Sequence, residues 1–470
     1  MRCPRCHTEC PEESVFCVAC GHALAHSAAG NAAVPLRQAR PSSRRWLRLA
    51  LAVLGCAALV LLAAGALWLV KLRAPRPSVR LALLQTQDNR VSLLLATAGQ
   101  TETVQAFGGA DDIHYLTLAG QERATPFLAG GRGLLFVATE GLTTSLYRLD
   151  TGAETPTVVI THSGDIRGTF SSDGQLLLLH TREQDGQSRA VLLDGQGKKA
   201  PQTVGVGDTV EFALSPRKDT LWIRTTRSGR SRLDLVDAKG NTLTVLADDA
   251  PQAWAAYSPD GKRLLLWTPG ITQSLGSLSL VDTGHPQQRQ ALLAVNARCG
   301  GFVDGGRSVW LDRVDPQGQS LLLLELSSQR AVEVANGVTR LQVHSGQGRN
   351  VFFEVESGGY IDLYAVQADG RRLRFCARGV LPGSVAITPD ADSTAFLLAD
   401  GNAWTLMLYD QQAAPLSNRA GSTAPDFSAD GDWIAFEETS SGTSTLWTSR
   451  RDGSKRRMVA PGGDAAVWSR

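Results

Sequence analysis

Residues 253–268 read AWAAYSPDGKRLLLWT, and this stretch decides the fold. An apolar run from Trp254 to Tyr257 meets the polar turn Ser258-Pro259-Asp260-Gly261-Lys262, and a second apolar run follows from Leu264 to Trp267. Two short apolar runs joined by an Asp-Gly turn read as a β-hairpin, because Asp and Gly accept the positive or bridging dihedrals that β-branched residues resist. The chain continues through LGSLSLVDTG (275–284) and QRQALL (288–293), which supply a third and a fourth strand. Ala253 to Leu293 is therefore one four-strand unit.

Working outward, the same unit recurs. Phe170-Ser171-Ser172-Asp173-Gly174 precedes QLLLLHT, Leu214-Ser215-Pro216 precedes DTLWIRT, and Phe427-Ser428-Ala429-Asp430-Gly431 precedes DWIAFEE. Weaker copies begin near Pro126, Gly301, Leu341 and Val385. The turn positions fall near residues 131, 174, 218, 261, 306, 348, 391 and 431, a spacing of about 40 to 45 residues that signals a propeller-type array. The expected fold class is mainly β: a multi-blade propeller of eight or nine four-stranded blades over residues 79–470.

The two ends of this region supply a separate argument. Residues 79–105 match the second, third and fourth strands of a unit, and DAAVWSR (464–470) matches a first strand. Strand 464–469 is expected to close the ring, with Ala465 to Ser469 pairing against Arg80 to Thr86, which leaves no open sheet edge. Residues 108–122 exceed an ordinary connection and are the expected irregularity. The repeat, with its F/Y-S-P-D-G signature, resembles the WD40-like repeats of the TolB-type β-propeller. That resemblance implies a periplasmic or cell-surface scaffold and names no partner.

Before the repeats lies LALAVLGCAALVLLAAGALWLV, Leu49 to Val70, 22 residues without a charge. At about 1.5 Å per residue such a helix reaches roughly 33 Å, enough for a bilayer core of about 30 Å. The run starts too late and extends too far for the apolar region of a cleaved signal peptide. Residues 46–71 are accordingly expected to form one transmembrane helix, preceded by a flexible basic linker at 23–45. Arg37, Arg40, Arg44, Arg45 and Arg48 stand on one side and Lys71, Arg73, Arg76 and Arg80 on the other, so charge alone does not orient it.

Residues 1–22, MRCPRCHTECPEESVFCVACGH, carry two C-x2-C pairs, Cys3/Cys6 and Cys17/Cys20. Four thiolates brought together by two such turns suit tetrahedral Zn(II), and so short a segment buries almost no core without a metal. The alternative is a disulfide pair, and Cys10, His7 and His22 are further donors nearby. The pattern resembles the small zinc ribbons at the N-termini of bacterial membrane proteins, through Cys3, Pro4, Cys6, Pro11, Phe16, Cys17, Cys20 and Gly21. It departs from them at His7, where the first knuckle normally has glycine. Four cysteines point to a closed structural site rather than an open catalytic one. Zinc thiolates persist in a reducing cytosol, so the N-terminus is expected there and the repeats outside, in the periplasm or at the cell surface.

The chain has 470 residues, 20% of them charged, with a formal net charge of +2. This near-neutral balance, and the few basic residues of the ribbon, give no basis for nucleic-acid binding. Cys299 and Cys376 are the only cysteines beyond the span, too few for a disulfide framework. Trp222, Trp267, Trp310 and Trp433 fall in second strands and read as packing between blades. His114, His162, His180, His285 and His344 show no ligand-like spacing, and the Asp of each S-P-D-G reads as a turn residue. With no G-x-S-x-G elbow, phosphate loop or EF-hand, no catalytic residue is expected. The sequence thus reads as a membrane-anchored interaction module whose propeller meets a protein or envelope ligand. Signalling through the ribbon is the alternative, and a propeller enzyme stands behind both.

Overall fold

The computed structural model describes residues 80–468 apart from 98–102, 120–124, 126, 129–132, 152, 184–185, 271–274, 346–347, 401–402, 411, 429, 441–442 and 462, together with Glu9. The chain divides into two compact units, Met1–Pro75 and Arg76–Arg470. The zinc-ligand pattern of 1–22, the linker of 23–45 and the apolar stretch at 49–70 lie outside the described residues. Among those that are described, no helix is long and apolar enough to cross a membrane.

Within Arg76–Arg470 the described strands form six sheets of four strands, one of five and one of eight. The eight-stranded sheet is two four-strand units, joined where Ala420 pairs with Glu438. Nine antiparallel four-strand units result, each a meander, with the first completed by a strand from late in the chain. This is the arrangement of a β-propeller, and it resolves the expected eight or nine in favour of nine units among the described residues.

The first unit is the composite one. Its strands Arg80–Gln87, Arg90–Thr97 and Thr103–Ala110 are joined by Gly463–Trp468, with Leu81 opposite Trp468 and Leu83 opposite Ala466. The irregularity at 108–122 has a definite form. After Asp112–His114, the first strand of the second unit, the chain makes the short strand Thr117–Leu118. That strand pairs in parallel with Ile166–Phe170 of the third unit, and it makes the third sheet five-stranded.

The Ser-x-Asp-Gly turn explains the repeat. In the fifth unit the Ser258 hydroxyl donates to Asp260 Oδ1 at 2.6 Å and accepts from the Arg263 N–H at 3.0 Å, while Asp260 Oδ1 also accepts the Lys262 N–H at 3.1 Å. Gly261 sits at φ 67°, in the left-handed region that glycine enters without a Cβ penalty. Ser171/Asp173, Thr388/Asp390 and Ser428/Asp430 repeat the serine- or threonine-to-aspartate bond. The four hydroxyl residues are fully buried. The sixth unit departs, replacing the motif by a 3-10 turn at Asp304–Gly306.

The core is a series of apolar layers between neighbouring units rather than one centre. Leu265, Trp267 and Leu278 of the fifth unit pack with Phe302, Val309 and Leu311 of the sixth. Leu81 and Leu83 of the first pack with Ala435 and Leu446 of the ninth, which carries the layers across the composite unit. Each such layer removes two sheet faces from water.

Candidate functional site

The ring has two ends. One, the turn end, carries the first-to-second turns and the third-to-fourth hairpins; the other carries the second-to-third hairpins and the crossings between units. Because the first strand of the composite unit ends at Trp468 and its second begins at Arg80, both meet the turn end, where every other unit has its turn. The loops and strand tips of the far end are where conserved scaffold geometry leaves side chains free for recognition.

At the far end, the first strands of the second, third, fourth and sixth units bring charges together. His114 Nδ1 lies 3.3 Å from Asp112 Oδ2, and its Nε2 lies 2.8 Å from the Ile166 carbonyl of the next unit and 3.7 Å from Asp165 Oδ1. Arg167 Nε donates to Asp165 Oδ2 at 2.6 Å. In the fourth unit Arg224 pairs with Glu211 and also donates to the Ala253 carbonyl of the fifth at 2.6 Å. In the sixth, Arg298 gives Asp312 Oδ2 two bonds, from Nε at 2.8 Å and Nη2 at 2.6 Å. Of these contacts, those of His114 with Asp165 and Ile166 and of Arg224 with Ala253 reach from one unit to the next, and Asp112, Arg167, Glu211 and Arg298 stay exposed.

Three carboxylates behind this rim are almost completely buried: Asp312 and Asp362 at 1% exposure and Glu354 at 2%. Asp362 is clamped by Arg378, Nε to Oδ1 and Nη2 to Oδ2, both at 2.9 Å. Glu354 Oε1 meets His344 Nε2 at 2.9 Å. Among the described residues Asp312 Oδ1 and Glu354 Oε2 have no partner. Burial pushes the Asp312 carboxyl above the ordinary carboxylate range, against the pull of Arg298. Cys299 Sγ lies 3.9 Å from Asp312 Oδ2, and burial, helped by that carboxylate, pushes its thiol up to about 11. At neutral pH the thiol is protonated and a poor nucleophile.

The turn-end aspartates behave oppositely. The Ser258 hydroxyl holds Asp260 below its usual range. Burial opposes ionisation of Asp173, yet Lys218 and Ser171 hold its carboxyl down to about 2. Both stay ionised and occupied in their turns, as expected of turn residues rather than general acids.

The tryptophans lie between units, as their strand positions imply. Trp267 Nε1 donates to the Val295 carbonyl at 2.7 Å and Trp310 Nε1 to Ser345 Oγ at 3.1 Å, each reaching the following unit. Trp222 packs against the layer between the fourth and fifth units and Trp433 against that between the ninth and first. His162, His180, His285 and His344 are not brought together, and no group of three or more His, Cys, Asp or Glu able to hold a metal occurs among the described residues. Cys3, Cys6, Cys17 and Cys20 lie outside them. Turn-end clefts of about 310 Å3 between the seventh and eighth units and 240 Å3 between the sixth and seventh are lined largely by charged and polar groups, among them Arg372, Arg374, Asp390 and Asp392 in the first. Neither offers the mainly apolar walls of a small-molecule site.

The rim and the buried carboxylates carried no sequence signal. Arg224, Asp312 and Glu354 occupy equivalent places in their units, six residues past the turn positions 218, 306 and 348, where other units place Val137 and Trp267. His180 and Glu437 stand at the same place, so polarity at this repeat position singles out no buried carboxylate.

No family model matches the chain, and no curated protein matches it. Solved structures do. A eukaryotic initiation factor is 11% identical, with 83% of this chain and 98% of that one covered at a TM-score of 0.54. TolB from Acinetobacter baumannii is 15% identical over 65% of this chain and 82% of that one, at 0.29. A prolyl endopeptidase is 12% identical over 70% of this chain and 54% of that one, at 0.44. The initiation-factor likeness, at this identity, is one of fold alone.

Proposed function

We propose that the chain is a membrane-anchored recognition module: one span at 46–71 tethers the ring, and the far end of the ring receives a protein or envelope ligand. The observation that carries this reading is the charged rim from Asp112 to Arg298, in which His114 and Arg224 each reach the following unit, at the end opposite Arg80. Ion pairs of both signs around a mouth suit specificity and register of docking more than raw affinity. A photo-crosslinking residue placed at Leu142, a far-end hairpin tip that is 90% exposed, is expected to give a discrete adduct in intact cells. The same residue placed at Lys239, at the turn end, is expected to give none of that species. Adducts at neither position, or the same adduct at both, would sink the far-end assignment.

The tether reading includes a Zn(II)-loaded ribbon on Cys3, Cys6, Cys17 and Cys20, held in the cytosol as a structural unit. Exchanging Cys17 and Cys20 for Ser is expected to abolish bound zinc while leaving the ring's unfolding midpoint unchanged. If ligand-dependent output also disappears, the ribbon relays a signal; if output persists, it is a structural cap only. Retention of one full zinc equivalent by the double variant would refute the ligand set.

A further inference from the structure

We infer that the turn end of the ring is a docking face for an anionic lipid surface. The inference rests on the proposed span and adds which face meets the bilayer and through which residues. Residues 80–470 contain six lysines: Lys198, Lys199, Lys218, Lys239, Lys262 and Lys455. All six lie at the turn end. Lys218 and Lys262 sit in first-to-second turns, and the other four sit between third and fourth strands, at 194–202, 237–242 and 450–457. The backbone fixes this placement: Gly195 N–H donates to the Gln175 carbonyl, Ala238 N–H to Asp219 and Arg451 N–H to Asp432, each tying a hairpin to the turn beside it.

The two ends differ in their lysines. The far end has no lysine; of its arginines, Arg167, Arg224, Arg298 and Arg378 pair with carboxylates, and Arg182, Arg227, Arg230 and Arg340 make no ion pair among the described residues. Of the six lysines only Lys218 is paired, with Asp173; the other five are exposed and make no ion pair among the described residues, whereas the turn-end arginines Arg217, Arg307 and Arg371 pair with Asp219, Asp304 and Asp369. The hairpin Arg450–Arg457, RRDGSKRR, adds Arg451 and Arg457, likewise without ion pairs there, and sits on the ninth unit beside the composite one. That hairpin carries five cations against the single Asp452. Lysine is a mobile, hydrated point charge suited to a fluid anionic surface, whereas arginine's rigid fork suits fixed carboxylates.

Chain geometry agrees. The second strand of the composite unit starts at Arg80 on this same end, ten residues after Val70. Those residues reach at most roughly 35 Å when fully extended. A ring held that close by its turn end turns its lysines, and not its charged rim, toward the headgroups.

The test uses the full-length chain in vesicles of phosphatidylcholine, with or without phosphatidylglycerol, treated with a membrane-impermeant amine-acylating ester and read by mass spectrometry. Lys198, Lys199, Lys239, Lys262 and Lys455 are expected to acylate roughly fivefold more slowly in the anionic vesicles, and high salt is expected to abolish the difference. Equal rates in the two vesicle types overturn the inference. Alkaline carbonate extraction separates it from the span: a chain that resists extraction yet labels equally keeps its anchor and loses this face. A chain that is extracted, yet shows salt-sensitive protection, loses its anchor and keeps the face.

Discussion

Deleting residues 463–470 is expected to open the ring and to lower unfolding free energy by at least about 4 kcal/mol. Residues 463–468 supply the first strand of the composite unit, in register from Leu81↔Trp468 to Gln85↔Gly463 with a shift between Leu84 and Gln85. Each lost ladder bond is worth about 1 kcal/mol net, and Leu81, Ala82 and Leu83, now buried at 0–1% exposure, are left at an open edge. Against a total stability of about 5–15 kcal/mol this is a large share. The deletion also creates an unpaired strand, Arg80–Gln87, that can template association. Urea unfolding and sedimentation velocity on residues 79–470 and 79–462 check both effects: an earlier, less cooperative transition together with concentration-dependent oligomers. A shortened chain that stays monomeric and unfolds at the same urea concentration would show that closure contributes little.

What the sequence made legible follows from what the repeat must solve chemically. The Ser-x-Asp-Gly turn needs a hydroxyl, an acceptor and a residue free to take positive φ at fixed offsets, so Ser171/Asp173 and Ser258/Asp260 announce themselves. Tryptophans 267 and 310 were legible for a related reason: a large ring on a second strand can be buried only against the neighbouring unit. The turn at Asp304–Gly306 was fainter because a 3-10 turn fulfils the same role without the serine. Thr117–Leu118 could not be read at all, since two residues pairing in parallel with Ile166–Phe170 leave no periodicity behind. The rim was hidden for a further reason. Arg224 and Glu211 look like ordinary solvent-facing residues of alternating strands, and only the curvature of the ring brings Arg224 to the Ala253 carbonyl.

Arg148 shows the same blindness with the larger energetic consequence. In TTSLYRLD (143–150) it reads as one more outward cation, yet it is only 8% exposed. Its Nη1 donates to the carbonyls of Gly174 and Gly195, both at 3.0 Å, and its Nε to Asp150 Oδ1 at 2.8 Å, so one guanidinium joins the second unit to the turn and hairpin of the third. Arg148→Met keeps much of the stem and removes every donor. Two buried carbonyls then lose their partner at about 1–3 kcal/mol each, partly offset because a charge no longer has to be desolvated. The third unit cannot easily close over the gap: a Cβ at Gly195 would meet the Gly174 carbonyl oxygen at 1.6 Å, so the two backbones already touch. The expected net loss is about 3 kcal/mol, seen as a lower urea midpoint at unchanged slope. Arg148→Lys is expected to recover part of it, since an ammonium can serve one carbonyl but cannot span both and Asp150. A loss below about 1 kcal/mol for the methionine variant would mean that water replaces the guanidinium at this junction, and that the apolar layer of Leu135, Val137, Phe170 and Leu177 holds the two units together without it.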